Sequence, residues 1–193
     1  MSFRIQDIKS ALKFGGARPS LFNVTMQLPS AVQVDGNFAP GISKGDFNSK
    51  FSFLCRAASL PQSTVASINV PYMGAKMKVA GNRTYEDWSV TVINDEDFAI
   101  RKGFEMWLHA INHQSDNIRN NGATSQPASY KTDALVSQFA KDNDVDPIRK
   151  IKFYGLFPTQ ISAIELDWDS TDTIETFTVT FAYDYHLPDN SSN

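Results

Sequence analysis

His109 and His113 stand four residues apart, a spacing that on a helix turns two imidazoles towards one metal ion. A zinc centre needs a third protein ligand, and neither histidine belongs to an H-E-x-x-H arrangement, so solvated helix histidines are the simpler expectation. Asp167 and Asp169 flank Trp168, which combines the paired carboxylates of a glycosidase with a ring on which a sugar could stack. Their place at a strand end running into an acidic turn favours plain solvation. Asp184 and His186 are close enough to pair, yet no serine in an elbow and no exposed thiol completes a triad. Cys55, the one cysteine, alternates with Phe51 and Phe53 and reads as a small hydrophobe on a strand over Phe51–Arg56. The chain has no glycine-rich phosphate loop. These residues predict neither an enzyme nor a site for a cofactor or metal.

The elements that would have to position such groups are mostly strands. Leu21–Leu28 alternates, with Phe22, Val24, Met26 and Leu28 on one side. Residues 29–50, rich in Gly, Pro and Ser, predict a long loop or loose hairpin. Residues 64–80 predict two strands around Tyr72-Met73-Gly74, the second placing Ala75, Met77 and Val79 opposite Lys76 and Lys78. The Gly81-Asn82 pair marks a turn. Trp88, Val90 and Val92 then alternate with Ser89, Thr91 and Ile93, the period of a strand.

Asn94 and Asp95 are candidate caps for a helix over 95–113, with Glu96 and Asp97 in its first turn, where the helix dipole favours negative charge. Ile100, Phe104, Trp107, Leu108 and Ile111 share one face of that helix. Residues 114–133 read as a polar surface loop, Ala134–Ala140 as a strand, and Asp142–Asp146 as an acidic turn. Ile148–Leu156, Ile161–Trp168 and Ile174–Tyr185 are the last expected strands, the final two joined by a hairpin turn at 169–172. On the last, Phe177, Val179, Phe181, Tyr183 and Tyr185 share one face and Thr176, Thr178, Thr180, Ala182 and Asp184 the other. The pattern is all-β with one substantial helix, hence a sandwich or barrel-like domain.

Composition agrees with a structural reading. A chain of 193 residues, 41% hydrophobic with 14 Phe and 3 Trp, can bury roughly 70% of its unfolded surface as one domain. A formal charge of −3 leaves no basic footprint for nucleic acid. A single cysteine fits a reducing compartment. No apolar run approaches the ~20 residues that cross a bilayer, and no secretory h-region opens the chain. Residues 1–16 form an N-terminal arm with Phe3, Ile5, Ile8 and Leu12 on what would be one helical face, packed on its own domain or reaching a neighbour. Lys76 with Lys78, and Arg149 with Lys150 and Lys152, form two small basic faces that protect strand edges or meet acidic groups of another subunit.

The stretch AGNRTYEDWSVTVINDED at 80–97 resembles the centre of the tail tube proteins of T4-like contractile-tailed phages. The resemblance continues in ARPSLFNV at 17–24, CRAASLPQ at 55–62 and LFPTQISAIELDWDSTDTIETFTVTFAYDYH at 156–186. It places 17–187 in a single tube domain, with 188–193 as a C-terminal tail. It implies a β-sandwich with the helix 95–113 on its outer flank, sheets that join between subunits, and hexameric rings stacked into a conduit for DNA. Related tubes serve type VI secretion and phage-derived injection machines, and a baseplate protein that starts the tube shares the fold. Implied partners are further copies of the chain, the tail sheath, the baseplate and the tail terminator, with genomic DNA passing unbound and no membrane. The implied site is the virion tail, assembled in the host cytoplasm.

The resemblance directs attention to Pro71–Val79 and 29–50 for contacts between subunits or rings, with Tyr72, Met73, Lys76 and Lys78 as interface candidates. A conduit must not hold DNA, and Lys and Arg contacts to phosphate supply most non-specific affinity. The neutral hydroxyl face of Thr176, Thr178 and Thr180 therefore suits a lumen. A carbohydrate-binding sandwich using Asp167, Trp168 and Asp169 is the alternative from another class.

Overall fold

The computed structural model describes residues 5, 8, 10, 12, 16–30, 32, 44–117, 126–141 and 146–189. Along the chain run β1 (Phe22–Met26), α1 (Lys44–Leu54), β2 (Cys55–Ala58), β3 (Ser63–Tyr72), β4 (Ala75–Tyr85) and β5 (Trp88–Ile93). These are followed by α2 (Ala99–Ile111), α3 (Pro127–Tyr130), β6 (Thr132–Phe139), β7 (Pro147–Ile161), β8 (Thr176–Ala182) and β9 (Tyr185–Pro188). Seven strands form one sheet in the order β1-β6-β7-β8-β5-β2, with β9 also on β7, while among the described residues β3 and β4 pair only with each other. All pairings are antiparallel.

The large sheet folds over on itself because β7 belongs to two leaves. Its first part pairs with β6 and β9, its last part with β8. The change of partner occurs around Gly155, whose φ of +68° is open to glycine at little cost. Trp88 on β5 stacks on Phe153 of β7 with ring centroids 4.4 Å apart, so the two leaves meet across one core. Val24, Val136, Ile151, Leu156, Phe177, Val179 and Phe181 fill it from both sides.

Two helices, not one, close the core. Residues 44–54 are helical, where the sequence suggested the end of a loop and the start of a strand. Phe47, Phe51 and Leu54 have helical spacing, and both phenylalanines are fully buried. The Gly/Ser/Asp turn signals upstream masked that period. Phe47 meets Phe104 of α2 edge-on at 5.4 Å. The approach requires Gly103, because a Cβ there would stand 2.4 Å from the Phe47 ring.

Helix α2 begins at Ala99 rather than 95 and ends at Ile111. The backbone first makes a turn, with the Phe98 amide donating to the Asp95 carbonyl, and Phe98 adopts a left-handed φ of 54°. Asp97 acts from outside the helix, its carboxylate accepting the Ala99 amide at 2.9 Å. Lys50 of α1 forms an ion pair with Asp97 and a second with Asp95 at 3.5 Å, tying the helices together. The hydrogen bond from Lys50 and then the Ala99 amide hold the Asp97 carboxyl below its ordinary range.

Other expectations also shift. Gly81 and Asn82 form no turn but lie within β4, where the register slips between Val65 and Ser67 of β3. A Cβ on Gly81 would reach 3.0 Å from the Ala66 carbonyl, so the glycine serves a bulge. Residues 162–167 are not a strand: β7 ends at Ile161, and 162–175 is an irregular loop with a turn at 168–169. Of its alternating apolar residues Ile164 packs against the core, while Leu166 and Trp168 stay exposed. The last expected strand breaks at Tyr183 and Asp184, so Tyr185 sits on β9 and stacks on Tyr154 at 4.8 Å, away from the core.

Part of the expected loop 114–133 is regular: α3 spans Pro127–Tyr130 and β6 starts at Thr132, and the buried Trp107 donates its indole N–H to the Tyr130 carbonyl at 2.8 Å. Most of the 1–16 arm, 33–43, 118–125 and 142–145 lie outside the described residues, Phe3 and most of the expected acidic turn among them. Within the arm the Leu12 amide donates to the Ile8 carbonyl at 2.9 Å, one helical turn.

Candidate assembly surfaces

The β3–β4 hairpin stands apart from the sandwich. Its strands are 10 and 11 residues long and turn through Met73 and Gly74, both at positive φ, as a two-residue hairpin loop requires. The pairs Ile68–Val79, Val70–Met77 and Tyr72–Ala75 fall at alternate positions of the register. They therefore share one face, and Asn69–Lys78 and Pro71–Lys76 share the other. Tyr72 is 70% exposed and Met73 90%. The four interface candidates thus divide: Tyr72 lies on the apolar face, Lys76 and Lys78 on the polar face, and Met73 at the tip.

The hairpin is rooted in an aromatic cluster. Tyr85, at the end of β4, lies 5.8 Å from Tyr183 and 5.1 Å from His186, ring to ring. His186 also faces Phe153. Burial lowers the His186 pKa, with a contribution from Arg83, and burial raises that of Tyr183. Among the described residues, neither the Tyr183 hydroxyl nor His186 Nδ1 has a hydrogen-bond partner.

The second surface is the outer side of the leaf formed by β5, β8 and the end of β7. Thr176, Thr178 and Thr180 alternate with buried Phe177, Val179 and Phe181. Thr178 pairs across the strands with Thr91, and Thr180 with Ser89, the hydroxyl oxygens 3.4 Å apart in each pair. Thr159 donates to the Thr180 carbonyl at 3.1 Å. Residues 88–93, 158–162 and 176–182 contain no charged side chain. Helix α2 packs on the other side of this leaf, with Phe104 5.7 Å from Phe181. The hydroxyl surface and α2 therefore lie on opposite sides of the same strands.

The residues that could do chemistry are scattered. The rings of His109 and His113 lie 4.5 Å apart, but no group of three potential metal ligands exists among the described residues. Asp184 does not engage His186: it accepts both its hydrogen bonds from Lys131, at 2.7 and 2.9 Å. Asp167 accepts the Asp169 amide at 3.1 Å, which closes a turn. Trp168 is 99% exposed on the open loop. Burial pushes the Cys55 thiol up to about 12, so it is not a thiolate at neutral pH. A groove of about 870 Å³ runs between β1, β6 and α1. Its lysines are neutralised, Lys152 by Asp133 at 3.1 Å and Lys131 by Asp184.

The described residues bring no metal-ligand cluster together and leave an apolar hairpin face exposed, the kind of surface that marks an interaction site. Residues 17–188 match the phage tail tube protein family, and the chain belongs to it. It is 36% identical over 182 residues to the tail tube protein gp19 of Enterobacteria phage T4, covering 94% of this chain and 98% of that one. It is 23% identical over 189 residues to the tail tube protein of Serratia phage KSP90, covering 97% and 98%.

Two solved structures show the same fold. One is a chain of the anti-feeding prophage baseplate, with a TM-score of 0.58 at 10% identity and coverage of 90% and 95%. The other belongs to the sheath–tube complex of an extracellular contractile injection system, with a TM-score of 0.52 at 14% identity and coverage of 97% and 98%. The protein is a structural component of the phage tail and not an enzyme. Among the described residues no helix is long and apolar enough to cross a membrane.

Proposed function

We propose that this protein is the major tail tube subunit, closing into hexameric rings that stack into the conduit for DNA delivery. The observation that carries this reading is the β3–β4 hairpin. A two-stranded ribbon alone in water is marginal, and here every residue of β3 is exposed. Two free edges and an apolar face are a liability that association with neighbouring copies removes. Tyr72 and Met73 then lie in contacts between subunits or rings, and Lys76 and Lys78 face acidic groups of a neighbour.

The hydroxyl leaf suits the lumen. With α2 on the outer flank, Thr176, Thr178 and Thr180 turn inwards, and a surface without Lys or Arg gives passing DNA no cationic grip. The outer side then meets the sheath, while the tube's ends meet baseplate and terminator proteins, with assembly in the host cytoplasm.

The test replaces residues 66–82 with a short turn. The folded variant stays monomeric in sedimentation while the parent forms tubes of uniform width in electron micrographs. Tubes from the shortened variant would overturn the reading. Copy number in purified particles separates a tube subunit, present in many rings, from a single-ring initiator.

A further inference from the structure

A second exposed apolar surface lies at the far end of the sandwich from the hairpin. The β5–β8 pair runs from Trp88–Phe181 to Ile93–Thr176. At its first end Tyr85, the last residue of the hairpin, touches Tyr183. At its other end the Asn94 side chain donates to the Glu175 carboxylate at 2.9 Å, and the loop 162–175 projects. Trp168 at 99% exposure, Leu166 at 83% and Ile174 at 74% leave that loop among the barest apolar segments described. Single exposed hydrophobes are ordinary, but three on one loop, with a tryptophan at its turn, mark an interaction surface.

The two surfaces are complementary. The loop carries Glu165, Asp167, Asp169, Asp172 and Glu175 and no Lys or Arg, while the hairpin carries Lys76, Lys78 and Arg83 and no Asp or Glu. Neither Lys76 nor Lys78 forms an ion pair among the described residues, nor do Glu165, Asp167, Asp169 and Asp172. Each segment therefore combines apolar area with charges of one sign, carried on the hairpin by the reverse face of the ribbon, and the signs are opposite. Charge matching of this kind steers encounter and fixes register more than it adds affinity.

We propose that the loop 162–175 is the docking surface for the β3–β4 hairpin of a second copy of this chain. Trp168 and Leu166 pack on the face made by Ile68, Val70, Tyr72, Met77 and Val79, while the loop carboxylates meet Lys76 and Lys78, whose long side chains reach them from the reverse face round the edge of β4. Because hairpin and loop lie at opposite ends of one strand pair, each docked copy leaves a free hairpin at one end and a free loop at the other. The contact is head-to-tail and propagates, as a ring or filament requires. This rests on the hairpin being the assembly element and assigns what receives it.

The test uses complementation. The variant shortened across 66–82 keeps its loop, and Leu166→Ser/Trp168→Ser keeps its hairpin; each alone is expected to be folded and unable to form tubes. Mixed, they are expected to form a 1:1 complex that grows no further. The charge arm uses Asp167→Lys/Asp169→Lys and Lys76→Glu/Lys78→Glu, each expected to lower the assembly rate at low salt at least tenfold, with recovery when both pairs are exchanged in one chain. If the loop variants form tubes at the parental rate while the hairpin-shortened variant forms none, the hairpin reading stands and this docking assignment falls. If the shortened variant itself forms tubes, the assembly reading falls. Failure of the two variants to associate, or a closed parental dimer that stops at two copies, also overturns the proposal.

Discussion

Strands β8 and β3 show the same alternation and meet opposite fates. On β8, Phe177, Val179 and Phe181 are buried, while on β3, Ile68, Val70 and Tyr72 point into solvent. Alternation records that one face of a strand has to be covered. It does not record whether the cover comes from the same chain or another copy. In β8 the opposite leaf and α2 supply it; in the β3–β4 hairpin nothing among the described residues of the subunit does.

The largest expected effects follow from that contrast. Phe104→Ala removes a ring packed against Phe47, Phe51, Trp107 and Phe181. It should cost about 3–5 kcal/mol of subunit stability, seen as a lowered Tm before any question of assembly arises. Tyr72→Ser and Val70→Ser should leave the free subunit within about 0.5 kcal/mol of the parent and abolish tubes. Calorimetry on dilute subunits, paired with electron microscopy of concentrated ones, separates the outcomes. A hairpin variant that unfolds as readily as Phe104→Ala would show that the hairpin has a core of its own, and the contrast would break.

A smaller effect sharpens the same contrast at two glycines. Gly155 and Gly74 both have positive φ, +68° and +85°. A Cβ on Gly155 would stand 2.1 Å from the Asp184 carboxylate, at the point where β7 changes leaves, whereas one on Gly74 meets nothing within 4 Å. Gly74→Ala therefore costs only the left-handed backbone, about 1 kcal/mol. Gly155→Ala adds displacement of Asp184 from Lys131, and its loss should be two- to threefold larger. Denaturant titration of the two variants decides it; equal losses would mean that Asp184 moves aside freely.

The sandwich was legible in the sequence where one residue set served one purpose. Trp88, Val90 and Val92 alternate and are buried, as does the run from Thr176 to Ala182. Legibility failed where local signals competed. At 44–54 the Gly and Asp of a turn preceded a helical period, and at 81–82 a glycine needed for close backbone approach had the look of a turn. At 162–168 the alternation of Ile164, Leu166 and Trp168 imitates a strand, although no neighbouring strand extends far enough to pair with it. The candidate surfaces were visible as residue types, but the pairing was required to set Tyr72 and Lys76 on opposite faces.

The smallest expected effect lies at the hairpin root, where the two regions join. His186 sits among Tyr85, Tyr183 and Phe153 with Arg83 nearby, and burial lowers its pKa from the ordinary 6.5. The folded subunit therefore holds the imidazole neutral over a range where the unfolded chain already binds a proton. Between the lowered pKa and about 6.5 the unfolded state carries more protons, so stability rises with pH across that window and is lost as pH falls through it. Above 6.5 both states are neutral and the contribution is flat. The Asp97 carboxylate, paired with Lys50, titrates lower, because it starts from 3.8 and is held below it. The two groups thus separate on the pH axis. His186→Gln should flatten the Tm profile in the window just below pH 6.5 and leave the decline below the ordinary carboxylate value of 3.8 in place. Parental and variant profiles that run parallel throughout would show that the imidazole protonates as easily in the folded root as in the open chain. The cluster joining hairpin to sandwich would then be looser than its ring contacts imply.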